Sequence, residues 1–197
     1  MGNFQVVYLT GAPASGKTTT VSALQRRDAT IAHFSFGERL KDHINQSEGT
    51  KLSHGDIRQA SAQIVTPELV KEVEDSLAVF VEKERKSRHV IIDSHPITKE
   101  KYGFRATPFN SESLKALNLT QIWTLYCSPE KSVERINSDA QGRQEISIFE
   151  AATHTSLQAS VALNYSVLLG VPAYFFSSER DIEGLADELY NRLKRDS

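Results

Sequence analysis

The chain has 197 residues, 39% of them hydrophobic and 24% charged, with a formal net charge of -2. That make-up suits one soluble globular domain of roughly 100–200 residues and lacks the basic excess of a nucleic-acid binder. No run approaches the roughly 18 apolar residues of a membrane span, and a single cysteine, Cys127, excludes an internal disulfide.

Phe4 to Thr10 is a β-branched run closed by Gly11 and predicts a buried strand. Thr18 to Arg27 reads as a helix, Ile31 to Phe36 as a weaker strand, and Gly37 to Gln46 and Gly55 to Val65 as two further helices. Thr66-Pro67-Glu68 has the cap, proline and acid of a helix start, and that helix runs to about Lys86. The basic residues Lys83, Arg85, Lys86 and Arg88 are interrupted by Glu82 and Glu84, so they read as the solvated end of this helix.

His89 to Asp93 is a third strand and Thr120 to Cys127 a fourth, whose apolar run predicts a buried thiol. Ser128-Pro129-Glu130 opens a helix to about Asn137. Ser147 to Leu169 is a long helix stopped by Gly170 and Pro172. Ala173 to Phe176 is a fifth strand, and Ile182 to Lys194 an amphipathic helix. Without repeats or linkers, residues 1–197 read as one domain. Strands alternating with helices imply an α/β fold with a parallel sheet covered on both faces. Ligands then sit beyond the carboxyl ends of the strands, near Thr10, Ser35, Asp93, Cys127 and Ser177.

One of those ends carries a strong motif. GAPASGKT, from Gly11 to Thr18, fits G-x-x-x-x-G-K-[ST] between a strand and a helix. Gly11 and Gly16 allow a sharp turn, and Ala12, Pro13, Ala14 and Ser15 turn their backbone around an anion-sized hollow at the positive end of a helix. Lys17 can reach the β- and γ-phosphates of ATP, and the Thr18 hydroxyl can ligate Mg²⁺, with Thr19 beside it. No guanine-reading N-K-x-D motif is present, which argues against a GTPase.

A second constellation lies at the third strand. Asp93 ends the run VII, where a carboxylate faces the phosphates and can hold Mg²⁺ through water or accept a proton from an attacking hydroxyl. His95 reads equally as a substrate contact or as a structural histidine. The polar segment Asp139 to Arg143 predicts a lid over about residues 138–146, with Arg143 as the cation that meets the moving phosphoryl group. Arg135 could stack on adenine or touch phosphate. On the acceptor side, Gly37, Arg39, Lys41 and Arg58 follow the second strand, within a region of about 36–66, and any of the three cations could hold an acceptor phosphate.

Taken together, VVYLTGAPASGKTTT, HFSFG, VIIDSH, the Gly103-Phe104 pair, the short Arg-bearing lid and NYSVLLG resemble the archaeal-type adenylate kinases, a branch of the P-loop nucleoside monophosphate kinases. The resemblance spans nearly the whole chain. It implies a P-loop NTPase three-layer sandwich with a five-stranded parallel sheet and a short lid, and reversible Mg²⁺-dependent phosphoryl transfer between ATP and AMP to give ADP. It also implies that Ser177 and Ser178, after the last strand, contact adenine. The chain departs from the family at Ala14 and Ser15, where the loop is usually richer in glycine, at Lys41 in place of an arginine, and in its single lid arginine. Residues 99–110 (KEKYGFRATPFN) are expected to line the acceptor pocket, with Arg105 as a substrate contact.

Three readings compete. The first is a nucleoside monophosphate kinase directed to AMP. The second is a kinase of a hydroxyl acceptor such as a nucleoside or sugar. The third is an ATP-dependent switch acting on an assembly, with weak ATPase activity. A phosphate acceptor, with second pKa of about 6, needs cationic clamps and no base, whereas a hydroxyl profits from a positioned carboxylate; the sequence offers both. It further predicts a cytoplasmic protein with no membrane partner, a nucleic-acid partner disfavoured and homo-oligomerisation left open.

Overall fold

The structure, a computed structural model, describes residues 4–48, 65–138 and 145–195. Residues 55–64 of the predicted helix, with Arg58, and residues 139–144 of the predicted lid, with Arg143, lie outside the described residues.

Five parallel strands form the central sheet: β1 (Val6–Thr10), β2 (Ala32–Ser35), β3 (Val90–Asp93), β6 (Gln121–Tyr126) and β7 (Ala173–Ser177), in the order β2-β3-β1-β6-β7. The expected α/β sandwich is therefore the observed one. Side chains of a strand alternate between its two faces, and both faces of this sheet are buried. Val6 and Tyr8 join one core cluster, with Leu77 and Ala162; Val7 and Leu9 join the other, with Leu24 and Leu189. Fully burying one such side chain contributes about 1.5–3 kcal/mol, which is why a strand as apolar as VVYLT belongs at the sheet's centre.

The helices form the outer layers. On one face lie α1 (Lys17–Arg27) and the last helix, α7 (Ile182–Arg195). On the other lie α3 (Pro67–Glu84), the short α4 (Ser111–Ala116) and the long α6 (Ile148–Leu169); α2 (Phe36–Glu48) follows β2 and α5 (Pro129–Asn137) follows β6. The start signals act through hydrogen bonds. The Leu69 N–H donates to the Thr66 hydroxyl, the Lys131 N–H to the Ser128 hydroxyl, and Ser147 and Glu150 form a reciprocal capping box for α6. Gly170, at φ 68°, closes α6 in the left-handed conformation that favours glycine. Lys86 and Arg88 pair with Glu82 and Glu84, as the solvated-end reading expected.

Some features differ from expectation, among them the short helix α4, which the sequence reading did not include. The strand over 120–127 is shorter by a residue at each end, and α3 stops at Glu84. More consequentially, residues 97–106 form an antiparallel hairpin of β4 (Ile97–Glu100) and β5 (Gly103–Ala106) outside the main sheet. Its strands, ITKE and GFRA, have only four residues each and mix polar with apolar side chains, so they lack the apolar run that marks a strand in sequence. Gly103, at φ 134°, makes the tight return.

Candidate active site

The register sets the site. Leu9 and Ser35 both lie opposite Asp93, and Thr10 opposite Thr124, so the carboxyl ends of the strands form one edge. Gly11 leaves that edge with its Cα almost against β6: a Cβ there would meet the Leu125 carbonyl oxygen at 2.4 Å and the Ser15 hydroxyl at 2.6 Å. Only glycine fits. The loop then turns through Ala14, at φ 63°, and Gly16, at φ 89°, which caps α1. Ala14 is thus an L-residue held in a left-handed conformation, a local strain of about 1–2 kcal/mol. The Ser15 N–H donates to the Ala12 carbonyl and the Thr20 N–H to that of Gly16, which locks the turn onto the helix.

The functional side chains follow from this turn. Lys17 is the first residue of α1, and its ammonium donates to the Gly11 carbonyl at 3.1 Å, across the mouth of the loop. Thr18 and Thr19 are exposed on the first turn. Asp93 ends β3, and its Oδ1 is buried with no hydrogen-bond partner. A carboxylate oxygen without a hydrogen-bond partner and an exposed hydroxyl on the first turn of a helix are donors that fit Mg²⁺, which keeps most of its water and takes few protein ligands. Thr18 would hold the ion directly and Asp93 through its water. Among the described residues, no group of three or more His, Cys, Asp or Glu side chains forms a metal cage.

Arg135 lies between the loop and the segment after β7, with the edge of its guanidinium bonded to protein groups. Its Nη1 donates to the Ala14 carbonyl at 3.0 Å and to the Ser178 hydroxyl at 3.2 Å, and its Nη2 to the Ser178 carbonyl at 3.2 Å. It therefore braces the strained loop residue against the segment after β7. An open depression lies beside it, lined by Lys131, Arg135, Ser178, Glu179 and Arg180. The Glu179 carboxylate accepts from the Ser128 N–H at the start of α5, so its charge is held at that helix N-terminus and its pKa is lowered by the bond. Ser177, the last residue of β7, adjoins this wall of the site.

On the acceptor side, Gly37 sits against His95: a Cβ on the glycine would lie 3.8 Å from His95 Cε1. Arg39 rests over the Phe34 ring at 5.5 Å. Lys41 pairs with Glu38 at 2.8 Å, and Arg105 with the buried Glu100 at 3.3 Å. These cations are thus engaged with protein groups, and Arg105 braces the hairpin.

Residues that sequence reading passed over hold the two sides together. In α6, Gln158 accepts from the Thr10 hydroxyl at 3.3 Å and donates to the Ile97 carbonyl at 3.3 Å. The same carbonyl accepts from His154 Nε2 at 3.0 Å. A carbonyl only accepts, so Nε2 carries the proton of the neutral ring. Burial lowers the His154 pKa and keeps the ring neutral, with Phe104 edge-on to it at 5.0 Å. One turn further on from the hairpin, the Phe109 N–H donates to the Tyr165 hydroxyl at 2.8 Å. Lys99 pairs with the capping-box residue Glu150 at 3.0 Å. Bonds from the Ser147 backbone first, and from Lys99 second, bring the Glu150 pKa down to about 2. Four residues of α6 thus fasten the hairpin segment, and one of them also grips the residue before the phosphate loop. Their spacing, Glu150-His154-Gln158-Tyr165, is that of one helix face, and this face of polar residues in an apolar helix was the available signal.

The sequence from residue 10 to 151 matches the model of the AAA-domain family, well over half the chain. The chain belongs to that family. The match begins at Thr10 and takes in the loop, Asp93 and Arg135. The sequence of this AAA-domain protein matches no curated protein. Its fold is shared with solved structures. A kinase-like protein from Chloroflexus aurantiacus superposes with a TM-score of 0.60 at 18% identity, covering 100% of both chains. The tunicamycin resistance protein of Deinococcus radiodurans gives 0.58 at 13% identity, over 96% of this chain and 95% of that one. Shikimate kinase from Bacteroides thetaiotaomicron gives 0.57 at 16% identity, over 96% and 98%. At these identities the likeness is one of fold.

Proposed function

We propose that the protein is an ATP-dependent small-molecule phosphotransferase of the nucleoside monophosphate kinase type, with AMP as its preferred acceptor. The observation that carries phosphoryl transfer is the pairing of the Gly11–Thr18 loop with Asp93, whose Oδ1 is left without a hydrogen-bond partner at the same sheet edge. AMP as the acceptor is supported by the chain-long resemblance to archaeal-type adenylate kinases. In this reading the loop's backbone N–H groups bind the phosphates of ATP, and Lys17 leaves the Gly11 carbonyl to follow the γ-phosphate. Mg²⁺, when bound, spreads the charge of the phosphates. Arg143 meets the transferring group and Arg58 holds the acceptor phosphate. Gly37 and His95 border the acceptor, and the hairpin covers it. A cytoplasmic location goes with this reading; among the described residues no helix is long and apolar enough to cross a membrane.

A hydroxyl acceptor is the second reading, and one observation favours it. Lys41 already pairs with Glu38, while Asp93 Oδ1 has no hydrogen-bond partner and is suited to accept a hydroxyl proton. The test is ADP formation from ATP and Mg²⁺ with AMP, GMP, CMP and UMP, set against a panel of nucleosides and sugars. Turnover with AMP above the others supports the first reading. Turnover with a nucleoside or sugar alone replaces it with the second, and ATP binding without any transfer overturns both in favour of a switch.

A further inference from the structure

Charge is distributed unevenly along this chain. Although 24% of its residues are charged, there is no Asp, Glu, Lys or Arg from Ala151 to Ser178. That stretch holds nearly all of α6 and all of β7. His154, within it, is buried and kept neutral. Among the described residues, six of the nine exposed large apolar side chains lie between Ile148 and Phe175. The outward face of α6 shows Phe149 at 78%, Leu163 at 50% and Val167 at 84% exposure, with Ser156 and Ser160 between them. Three-, four- and seven-residue spacings put all five on one side of the helix. Phe175, 41% exposed, extends the patch onto β7, which is an edge strand of the sheet. Exposed sheet edges ordinarily carry charges that discourage pairing; this one has none.

We propose that this face is the interface of a homodimer, in which α6 packs antiparallel against α6 of a second copy. Three arguments select that occupant. A charged partner would have to bury unpaired charge against a neutral face, so the partner must itself be uncharged where it touches. The same face of another copy meets that requirement. The pattern is also self-complementary about a two-fold axis at the level of Gln158. Phe149 and Val167 are equally distant from that level, so in an antiparallel pair Phe149 falls opposite the partner's Val167, twice over. Ser156 and Ser160 flank the crossing, where small side chains let two helices approach to about 8 Å. Finally, helices that lie on membranes carry Lys or Arg on their polar face, and this one carries neither.

Size sets the expected strength. A 22-residue helix is about 33 Å long and about 10–12 Å wide. With Phe175 added, the patch stays below the roughly 800 Å² per partner of a standard interface. The dimer is therefore a weak, reversible one, visible in its concentration dependence.

Sedimentation equilibrium of the full chain, from micromolar to near-millimolar concentration, tests this. The wild-type protein should pass from monomer to dimer. Val167→Lys should weaken association by about tenfold or more, with circular dichroism and nucleotide binding unchanged. Val79→Lys, at an equally exposed apolar site on α3, should leave association as it is. Phe149→Lys and Val167→Glu should each dimerise poorly alone and better when mixed, because one Lys then faces one Glu while the other end keeps its native Phe–Val contact. A wild-type chain that stays monomeric throughout overturns the proposal. So does equal weakening by the Val79 and Val167 variants, or a mixture no better than its components.

Discussion

The phosphate loop and the β4–β5 hairpin both follow the carboxyl ends of central strands, but they are made by different means. The loop is set mostly by its own turn, through the left-handed Ala14 and Gly16, with Arg135 bonded to Ala14 and the Leu125 carbonyl close against Gly11. The hairpin is held from a distance. Its ends are fixed by His154, Gln158 and Tyr165, more than fifty residues along the chain. The turn of the loop can therefore be carried by a short motif, whereas a hairpin held by tertiary contacts depends on one helix facing the right way.

The largest effect that sharpens this contrast comes from Lys17. Because its ammonium donates to the Gly11 carbonyl at the mouth of the loop and its replacement opens no core cavity, Lys17→Met should lower transfer by roughly 100-fold or more. Stability without nucleotide should change by less than about 0.5 kcal/mol. Steady-state kinetics and thermal unfolding check both; near-normal turnover would break the assignment of the loop to catalysis.

Gln158 comes next. Gln158→Leu removes the bond from Thr10 and one of the two donors to Ile97, and leaves the buried Thr10 hydroxyl unpaired. A loss of about 1–3 kcal/mol in stability is expected, with faster amide exchange across residues 97–106. Acceptor KM should rise while ATP affinity stays nearly constant. Equal changes in both would mean that loop and hairpin are not separately built.

These cases show how much could be read from the sequence. The five strands, the caps at Thr66, Ser128 and Ser147, and the phosphate loop were legible because each rests on local pattern: apolar runs, hydroxyl–proline–acid starts and glycine spacing. The hairpin was not, since Ile97–Glu100 and Gly103–Ala106 are short, lack an apolar run and are fastened by α6. Arg135 illustrates the same limit. Sequence marks a cation near the site, but only packing shows it spent on Ala14 and Ser178. Gln158 and His154 read as polar interruptions of an apolar helix, and nothing local says what they bond.

A smaller effect is expected with pH. Burial lowers the pKa of His33, His89 and His154. The unfolded chain, at about 6.5 for histidine, then binds more protons than the folded one below that pH. Stability is fully present above about pH 6.5 and falls as the pH drops towards the folded values. His154→Gln keeps a donor for Ile97 and removes one titrating group, so its unfolding free energy should depend less steeply on pH over that range. Denaturant titrations at several pH values measure this, and an unchanged slope would remove His154 from the set.

Smallest of all is Ala14→Gly. Glycine relieves the left-handed strain but loosens the unfolded chain, and the two effects oppose each other within about 1 kcal/mol. Unfolding should shift little and ATP binding should persist; a large loss would mean that the Ala14 methyl packs in a way its strained conformation does not suggest.

The most direct test of the whole account follows the γ-phosphate itself. Wild-type protein, Mg²⁺ and ATP labelled at the γ-position are incubated with AMP, beside the Asp93→Asn variant, and the nucleotides are separated. The account predicts label in ADP formed from AMP, and a strong reduction with the variant. Label released only as inorganic phosphate, or retained in ATP with every small acceptor tried, would contradict it.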